Sequence, residues 1–131
     1  MMKRLKIIAI VCLLGSANAA IAQDYPARPI KFIVAFPAGS GIDTMARVIL
    51  EDIRKNTNAT IVVENRPGAL GQIGTEATAR SAPDGYTVMV SSSATHSSGP
   101  QLVKKIPYDV IHDFTHIARI TRFDVAMVVN P

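Results

Sequence analysis

The chain has 131 residues, of which 48% are hydrophobic and 5% aromatic, with 14 Lys and Arg against 10 Asp and Glu. This length allows one ordinary domain or half of a two-domain protein. Lys3, Arg4 and Lys6 lie at the amino terminus, and without them eleven basic residues face ten acidic ones. A nucleic-acid-binding protein keeps its basic excess in the folded domain, so the composition argues against DNA or RNA binding.

The first 22 residues have the features of a bacterial secretory signal peptide. A short basic segment precedes an apolar run at residues 7–14, and small residues follow. Two A-x-A cleavage patterns are present, and cleavage after Ala22 would leave Gln23 as the mature amino terminus. A membrane anchor is the alternative, but this apolar run is far shorter than the roughly 20 residues that a spanning helix needs. We therefore expect a periplasmic protein with its mature part at residues 23–131.

The mature part contains no cysteine. Cys12, the only one in the chain, lies in the apolar run behind bulky residues that disfavour lipidation. Disulfides, thiolate zinc sites and cysteine nucleophiles are thereby excluded from the mature protein. His112 and His116 stand four residues apart, but a loop that enters a strand is predicted between them. We expect both histidines to face solvent and assign no metal site.

Strands alternate with glycine-containing loops and helices along the mature chain. Residues 30–35 predict a buried strand, residues 36–41 a turn, and Asp43 or Thr44 is placed to cap a helix that ends near Asn56. The later predictions are strands at 60–64, 86–91, 116–121 and 125–129, helices at 72–81 and 101–104, and loops at 65–71 and 92–99.

This alternation predicts an α/β fold with a mostly parallel sheet and right-handed crossovers. The loops that follow the first three strands should then meet at one edge of the sheet, at residues 36–43, 65–72 and 91–97. Ligands of open α/β sheets bind at that edge, outside the carboxyl ends of the strands.

The chemistry of these loops suits a small anion. Gly39 and Gly41 allow the backbone to approach a ligand closely, although each glycine alone is explained by a tight turn. Unpaired amides at helix starts favour a carboxylate, and the hydroxyl-rich segment at residues 91–95 could add donors. Asp43 is interpreted as a helix cap rather than a ligand contact. Arg66 could clamp a carboxylate, but an ion pair with Glu64 is at least as well supported.

Catalytic interpretations fit the sequence less well. The segment at residues 39–41 lacks the G-x-S-x-G pattern of a nucleophile elbow, and serines beside His96 do not by themselves form a triad. A dinucleotide-binding oxidoreductase domain is the alternative, with a G-x-G turn and Glu64 after the second strand. Thr44 stands where the third glycine of that motif belongs, which makes the match weak. We predict no enzyme activity and no cofactor.

Five ordered motifs extend along the mature chain. They are Tyr-Pro-Ala-Arg-Pro-Ile at 25–30, Phe-Pro-Ala-Gly-Ser-Gly-Ile-Asp at 36–43, Glu-Asn-Arg-Pro-Gly-Ala at 64–69, Ala-Pro-Asp-Gly-Tyr-Thr at 82–87, and Ile-Pro-Tyr-Asp at 106–109 with Asp-Phe at 113–114. With them, the chain from Tyr25 to Pro131 resembles the Bug family of periplasmic solute-binding receptors of tripartite tricarboxylate transporters.

The resemblance implies a periplasmic-binding-protein-like lobe, one of two that close over a small carboxylate without catalysis or a cofactor. It implies a monomeric receptor that serves membrane permease subunits or a sensor protein. Backbone amides, bridging waters and hydroxyls of the loops would hold the ligand. The residues carried over to this role are Phe36, Ala38, Gly39, Ser40, Gly41, Gly68, Ala69, Ser91, Ser92 and Thr95.

Two departures from the family pattern and the length of the chain qualify this expectation. Ala38 and Ser40 replace a proline and a glycine, and Leu70 stands where a small residue is usual. The sequence stops where family members pass from the first lobe to the second. We expect an incomplete first lobe, truncated before the second lobe, that alone binds its ligand weakly; a non-functional truncated product is the alternative.

Overall fold

A computed structural model describes residues 25–103, 105–122, 126 and 128–129; the predicted signal peptide at 1–22 lies outside them. The strands are β1 (Ile30–Val34), β2 (Ile61–Asn65) and β3 (Thr87–Val90). The helices are α1 (Gly41–Asn56), α2 (Gln72–Ala79), α3 (Ser93–His96) and α4 (Ser98–Leu102), and a 3₁₀ turn at Ala69–Gly71 precedes α2. Among these described residues, no helix combines the length and apolar character needed to span a membrane.

The three strands form a parallel sheet in the order β2-β1-β3. In the register of the central strand, Val34 lies opposite Asn65 on one side and Val90 on the other. Since β1 has a partner on both sides, its last residues are buried, with Ile33 2% and Val34 0% exposed. The predicted α/β fold with a mostly parallel sheet is confirmed.

Helices cover both faces of the sheet. Side chains alternate along a strand, and on one face Val34 and Val90 pack with Ala46 of α1 into the buried core. Helix α2 lies on the opposite face, where a Cβ on Gly74 would lie 3.0 Å from Cα and Cβ of Ala35. Helices on opposite faces are what right-handed crossovers from β1 to β2 and from β2 over β1 to β3 produce. Because α1 follows β1 and α2 follows β2, each of these helices begins at the carboxyl edge of the sheet.

Helix α1 begins earlier than the sequence indicated. Its N-cap is Ser40, whose Oγ accepts a hydrogen bond of 3.3 Å from the Asp43 amide. The prediction of Asp43 or Thr44 as the cap was therefore wrong, although the end at Asn56 was right. Ser, Asp and Thr all satisfy the same capping preference, so sequence alone could not decide among three candidates within five residues.

The sequence motifs at residues 25–30 and 82–87 meet at the amino edge of the sheet. The Tyr25 hydroxyl donates to the Gly85 carbonyl at 2.8 Å, and the guanidinium of Arg28 pairs with Asp84 at 2.6 Å. That guanidinium also lies 4.2 Å from the ring centroid of Tyr86. The segment before β1 is thus fastened to the turn before β3, at the edge opposite the carboxyl ends of the strands.

The carboxyl-terminal third differs from prediction. The predicted polar loop at 92–99 contains α3 and the start of α4, and the helix expected at 101–104 is found at Ser98–Leu102, with Lys104 outside the described residues. Residues 116–121 form no strand, and Ile117 is 80% exposed. The strand predicted at 125–129 lies partly outside the described residues; 126, 128 and 129 are irregular. A strand needs a neighbour, which a short apolar pattern cannot reveal.

Candidate functional site

The structure brings the loops after all three strands together. The Arg66 amide donates to the carbonyl of Val34 at 2.8 Å, which joins the ends of β1 and β2. A Cβ placed on Gly71 would lie 2.5 Å from Cγ2 of Thr95 and 3.3 Å from Cβ of Ala35. The turn before α2 is therefore wedged between the end of β1 and helix α3. The convergence predicted from the parallel sheet is found.

The meeting point is also a topological switch point. From the central strand, the chain turns to α1 on one face of the sheet, whereas the crossover that leads to β3 runs over the other face. In a sheet of order 2-1-3, such connections leave a crevice beside the carboxyl ends of the first and third strands, where ligands of this fold class bind. The loops at 36–43 and 91–97 follow these two strands, and the turn at Gly71 packs against Thr95 beside them.

A buried carboxylate organises the first loop. Asp43 is 1% exposed, and its Oδ2 accepts hydrogen bonds from the Gly39 amide at 2.8 Å and from Nε of Arg47 at 2.9 Å. Its Oδ1 accepts one of 2.7 Å from Nδ2 of Asn65. The hydrogen bond from Arg47, with those from Asn65 and Gly39, lowers the pKa of Asp43 to about 2. Asp43 is thus not the N-cap; its carboxylate joins the first loop to α1 and to the end of β2.

Asn65 was not singled out from the sequence. In addition to its bond with Asp43, its Nδ2 donates to the Phe36 carbonyl at 3.1 Å, and its Oδ1 accepts from Arg47 at 3.0 Å. One amide side chain at the end of β2 therefore connects the first loop to α1. The available signal was a polar residue that ends an apolar strand, a position at which buried polar groups need partners.

The predicted residues of the first loop differ in what they leave open to a ligand. Ala38, Gly39 and Gly41 are exposed, whereas Phe36 and Ser40 are half-buried. Phe36 packs against the core, and its carbonyl already accepts a hydrogen bond from Asn65. The Gly39 amide is already bonded to Asp43. Gly41 opens α1, where first-turn amides have no partner within the helix.

The second loop is a left-handed turn. Gly68, Ala69, Leu70 and Gly71 all have positive φ, at 124°, 47°, 57° and 87°. The two residues with side chains adopt this conformation at a cost of roughly 1–2 kcal/mol each. Such strain persists only where the surroundings fix the backbone, and it is concentrated at ligand sites. Gly68 and Ala69, both predicted site residues, are exposed on this turn.

The third loop is held from inside by Thr95. This residue is 0% exposed, and its Oγ1 accepts from the Ser92 amide at 3.0 Å and donates to the Ser92 carbonyl at 2.9 Å. Its hydroxyl is thus already engaged. Ser91 is exposed and Ser92 is half-buried. Burial, with His116 nearby, lowers the pKa of His96, whose ring packs 4.8 Å from that of Phe114.

Arg66 forms an ion pair rather than an open clamp. Its Nε lies 2.6 Å from Oε1 of Glu64, and Lys31 approaches the other carboxylate oxygen at 3.4 Å. The Arg66 guanidinium lowers the pKa of Glu64. Glu64, the acid that the dinucleotide interpretation would assign to a ribose, is occupied by two cations.

The histidines show no metal-binding arrangement. His112 pairs through Nδ1 with Asp109 at 3.0 Å, and that carboxylate raises the pKa of His112. His116 lies with its Nε2 3.3 Å from the Val110 carbonyl. Both are exposed, as predicted. Within the described part of the chain, no group of three His, Cys, Asp or Glu could hold a metal ion.

The parallel sheet with its flanking helices has the α/β fold of the periplasmic binding protein class. Residues 45–131 match the model of the tripartite tricarboxylate transporter family receptor, and the chain belongs to this family. It is 44% identical to Protein BugT of Bordetella pertussis over 89% of its own length. That match covers 36% of BugT, so the chain spans about a third of this relative.

Solved structures agree with this assignment. MatC from Rhodopseudomonas palustris, solved with bound malate, superposes with a TM-score of 0.66 at 35% identity, over 70% of this chain and 31% of MatC. An R. palustris protein solved with adipate superposes with a TM-score of 0.64 at 28% identity, over 66% of this chain and 29% of its own. The family is one of solute-binding receptors rather than enzymes, which favours the receptor over the dinucleotide-binding alternative.

Proposed function

We propose that residues 23–131 form the first lobe of a periplasmic receptor that captures a small carboxylate for uptake or sensing. The observation that carries the proposal is the convergence of three loops at the switch point of the sheet, where Gly71 packs against Thr95 and Ala35. The signal-peptide pattern at residues 1–22 supports export, and the family membership supports a receptor that passes its ligand to permease subunits or a sensor protein.

The carboxylate would lie against the start of α2 and the backbone of the first loop. Gly41, Gly68 and Ala69 are exposed there, and the first turns of α1 and α2 contain amides that lack an acceptor within their own helix. The Gln72 amide, which opens α2, already donates to the Ala69 carbonyl. One helix start contributes about 0.3–1 kcal/mol to binding an anion, or ~2 when partly buried. At the partly buried value, two helix starts together contribute about 4 kcal/mol, which corresponds to weak, millimolar binding.

The remaining predicted residues would act by shaping the crevice. Phe36 and Thr95 are held by packing and by internal hydrogen bonds, and Gly39 is bonded to Asp43. Ser40 uses its oxygen as an N-cap acceptor, which leaves its hydroxyl hydrogen as a donor. Ala38 in the first loop and Ser92 in the third loop would line the crevice without a hydrogen bond to the ligand.

A ligand titration followed by amide NMR tests the proposal. Adipate and malate, the acids in the two neighbouring structures, are added to the purified protein, with the uncharged diamide of adipate as the control. We expect shifts concentrated at residues 36–41, 68–72 and 91–95 with at least one acid and none with the diamide. Shifts elsewhere, or equal shifts with the diamide, would show that these loops are not a carboxylate site.

A further inference from the structure

We infer that Leu70 is a specificity residue of this site and selects carboxylates with a hydrocarbon or aromatic body. The inference rests on the proposed function. Leu70 lies between β2 and α2, on the turn in which Gly71 packs against Thr95, and the residue is 57% exposed. A large apolar side chain at the edge of a binding site gains by covering apolar ligand surface, because that removes both surfaces from water.

The backbone fixes where this side chain stands. Leu70 has φ 57° and ψ 30°, a left-handed conformation that branched side chains rarely adopt. The turn is closed by a hydrogen bond of 2.9 Å from the Gly71 amide to the Gly68 carbonyl. Contact with Thr95 and Ala35 leaves no space for a Cβ on Gly71, so the turn cannot move inward. Leu70 is therefore presented at a defined position rather than on a mobile loop.

The charges around the crevice agree with an apolar ligand body. In the loops at residues 36–43, 65–72 and 91–97, Arg66 is the only lysine or arginine, and it is paired with Glu64 at 2.6 Å. Arg47, the nearest cation on α1, is paired with the buried Asp43. These loops thus offer helix amides for one carboxylate and, beside them, an exposed leucine in place of a second cation.

The test compares two dicarboxylates of equal charge: adipate, with four methylene groups, and tartrate, with two hydroxylated carbons. Their dissociation constants are measured by NMR titration for the wild type and for two variants, Leu70→Asn and Leu70→Met. Asn tolerates the left-handed conformation but is polar, whereas Met keeps the apolar character. Val48→Asn, at an exposed apolar position in the middle of α1, is the matched control.

We expect Leu70→Asn to weaken adipate binding about tenfold and to leave tartrate binding within about twofold, a difference set by apolar contact area. Leu70→Met and Val48→Asn should retain the wild-type preference. An unchanged ratio of the two dissociation constants in Leu70→Asn would overturn the inference while leaving the receptor proposal intact. A wild-type protein that binds neither acid would instead refute the proposed function, and the inference with it.

Discussion

Replacing Asp43 by Asn probes the brace beneath the first loop. The carboxylate accepts three hydrogen bonds, from the Gly39 amide, Arg47 and Asn65, at 2.7–2.9 Å. Asn has one acceptor oxygen and an NH₂ group, which would face a donor. The substitution therefore leaves at least one donor without a partner, and it removes the charge opposite Arg47.

The magnitude follows from the pKa of Asp43, which is lowered from 3.8 to about 2, chiefly by Arg47. A difference of this size corresponds to roughly 2 kcal/mol of folding free energy. Arg47 is half exposed, and water screens part of its interaction, so we expect Asp43→Asn to cost about 1–2 kcal/mol. Because the folded pKa is the lower one, this stabilisation is complete above about pH 5 and is lost as the pH falls through the folded pKa of about 2.

Urea denaturation of the wild type and of Asp43→Asn between pH 2 and pH 8 measures the difference in their free energies of unfolding. This difference should be constant from pH 5 to pH 8 and should shrink below pH 4. Asp52→Asn, at an exposed position on the same helix, is the control and should change the stability by less than about 0.5 kcal/mol. A neutral Asp43→Asn variant, or a loss that persists unchanged at pH 2, would refute the assignment of Asp43 as a charged brace.

Three further predictions concern Gly71, Leu70 and His112. Gly71→Ala should lower the free energy of unfolding measured in urea by about 2–3 kcal/mol, because its Cβ would lie 2.5 Å from a methyl carbon of Thr95. Gly41→Ala, whose Cβ would meet nothing within 4 Å, should be neutral or stabilising, and equal effects of the two variants would contradict the close packing at Gly71. Leu70→Asn should raise the melting temperature by a few degrees, since Asn tolerates positive φ; a lower melting temperature would count against backbone strain there. Asp109→Asn should lower the pKa of His112 measured by NMR, because the Asp109 carboxylate stabilises the protonated imidazole, which loses its proton as the pH rises. An unaltered pKa would show that the two side chains do not interact in solution.

The sheet and the place of the site could be predicted because they depend on patterns that persist along the chain. The apolar run of β1 and the stripe of α1 each extend over several residues, and parallel strands bring the loops that follow them to one edge. The register of β1 with β2 and β3 agrees with that reasoning. The structure differs from these predictions only in details, such as the N-cap of α1, which is Ser40 rather than Asp43 or Thr44.

The internal supports of the site could not be predicted because they join residues distant in sequence. Asn65 bonds to Phe36 and Asp43 only once β2 lies beside β1. The positive φ of Leu70 is likewise imposed by the wedge at Gly71, since leucine itself carries no turn signal. Residues 116–121 have the sequence pattern of a strand but pair with no strand in the described part of the chain. Whether a partner strand is present depends on the tertiary structure, not on the local sequence.

A crystal structure of the protein with adipate at millimolar concentration would show directly where the acid binds. One carboxylate group should lie within hydrogen-bond distance of amides at the start of α1 or α2, in the crevice beside the carboxyl ends of β1 and β3. Adipate bound at the amino edge of the sheet, near Arg28 and Tyr86, with the crevice filled only by water, would contradict it.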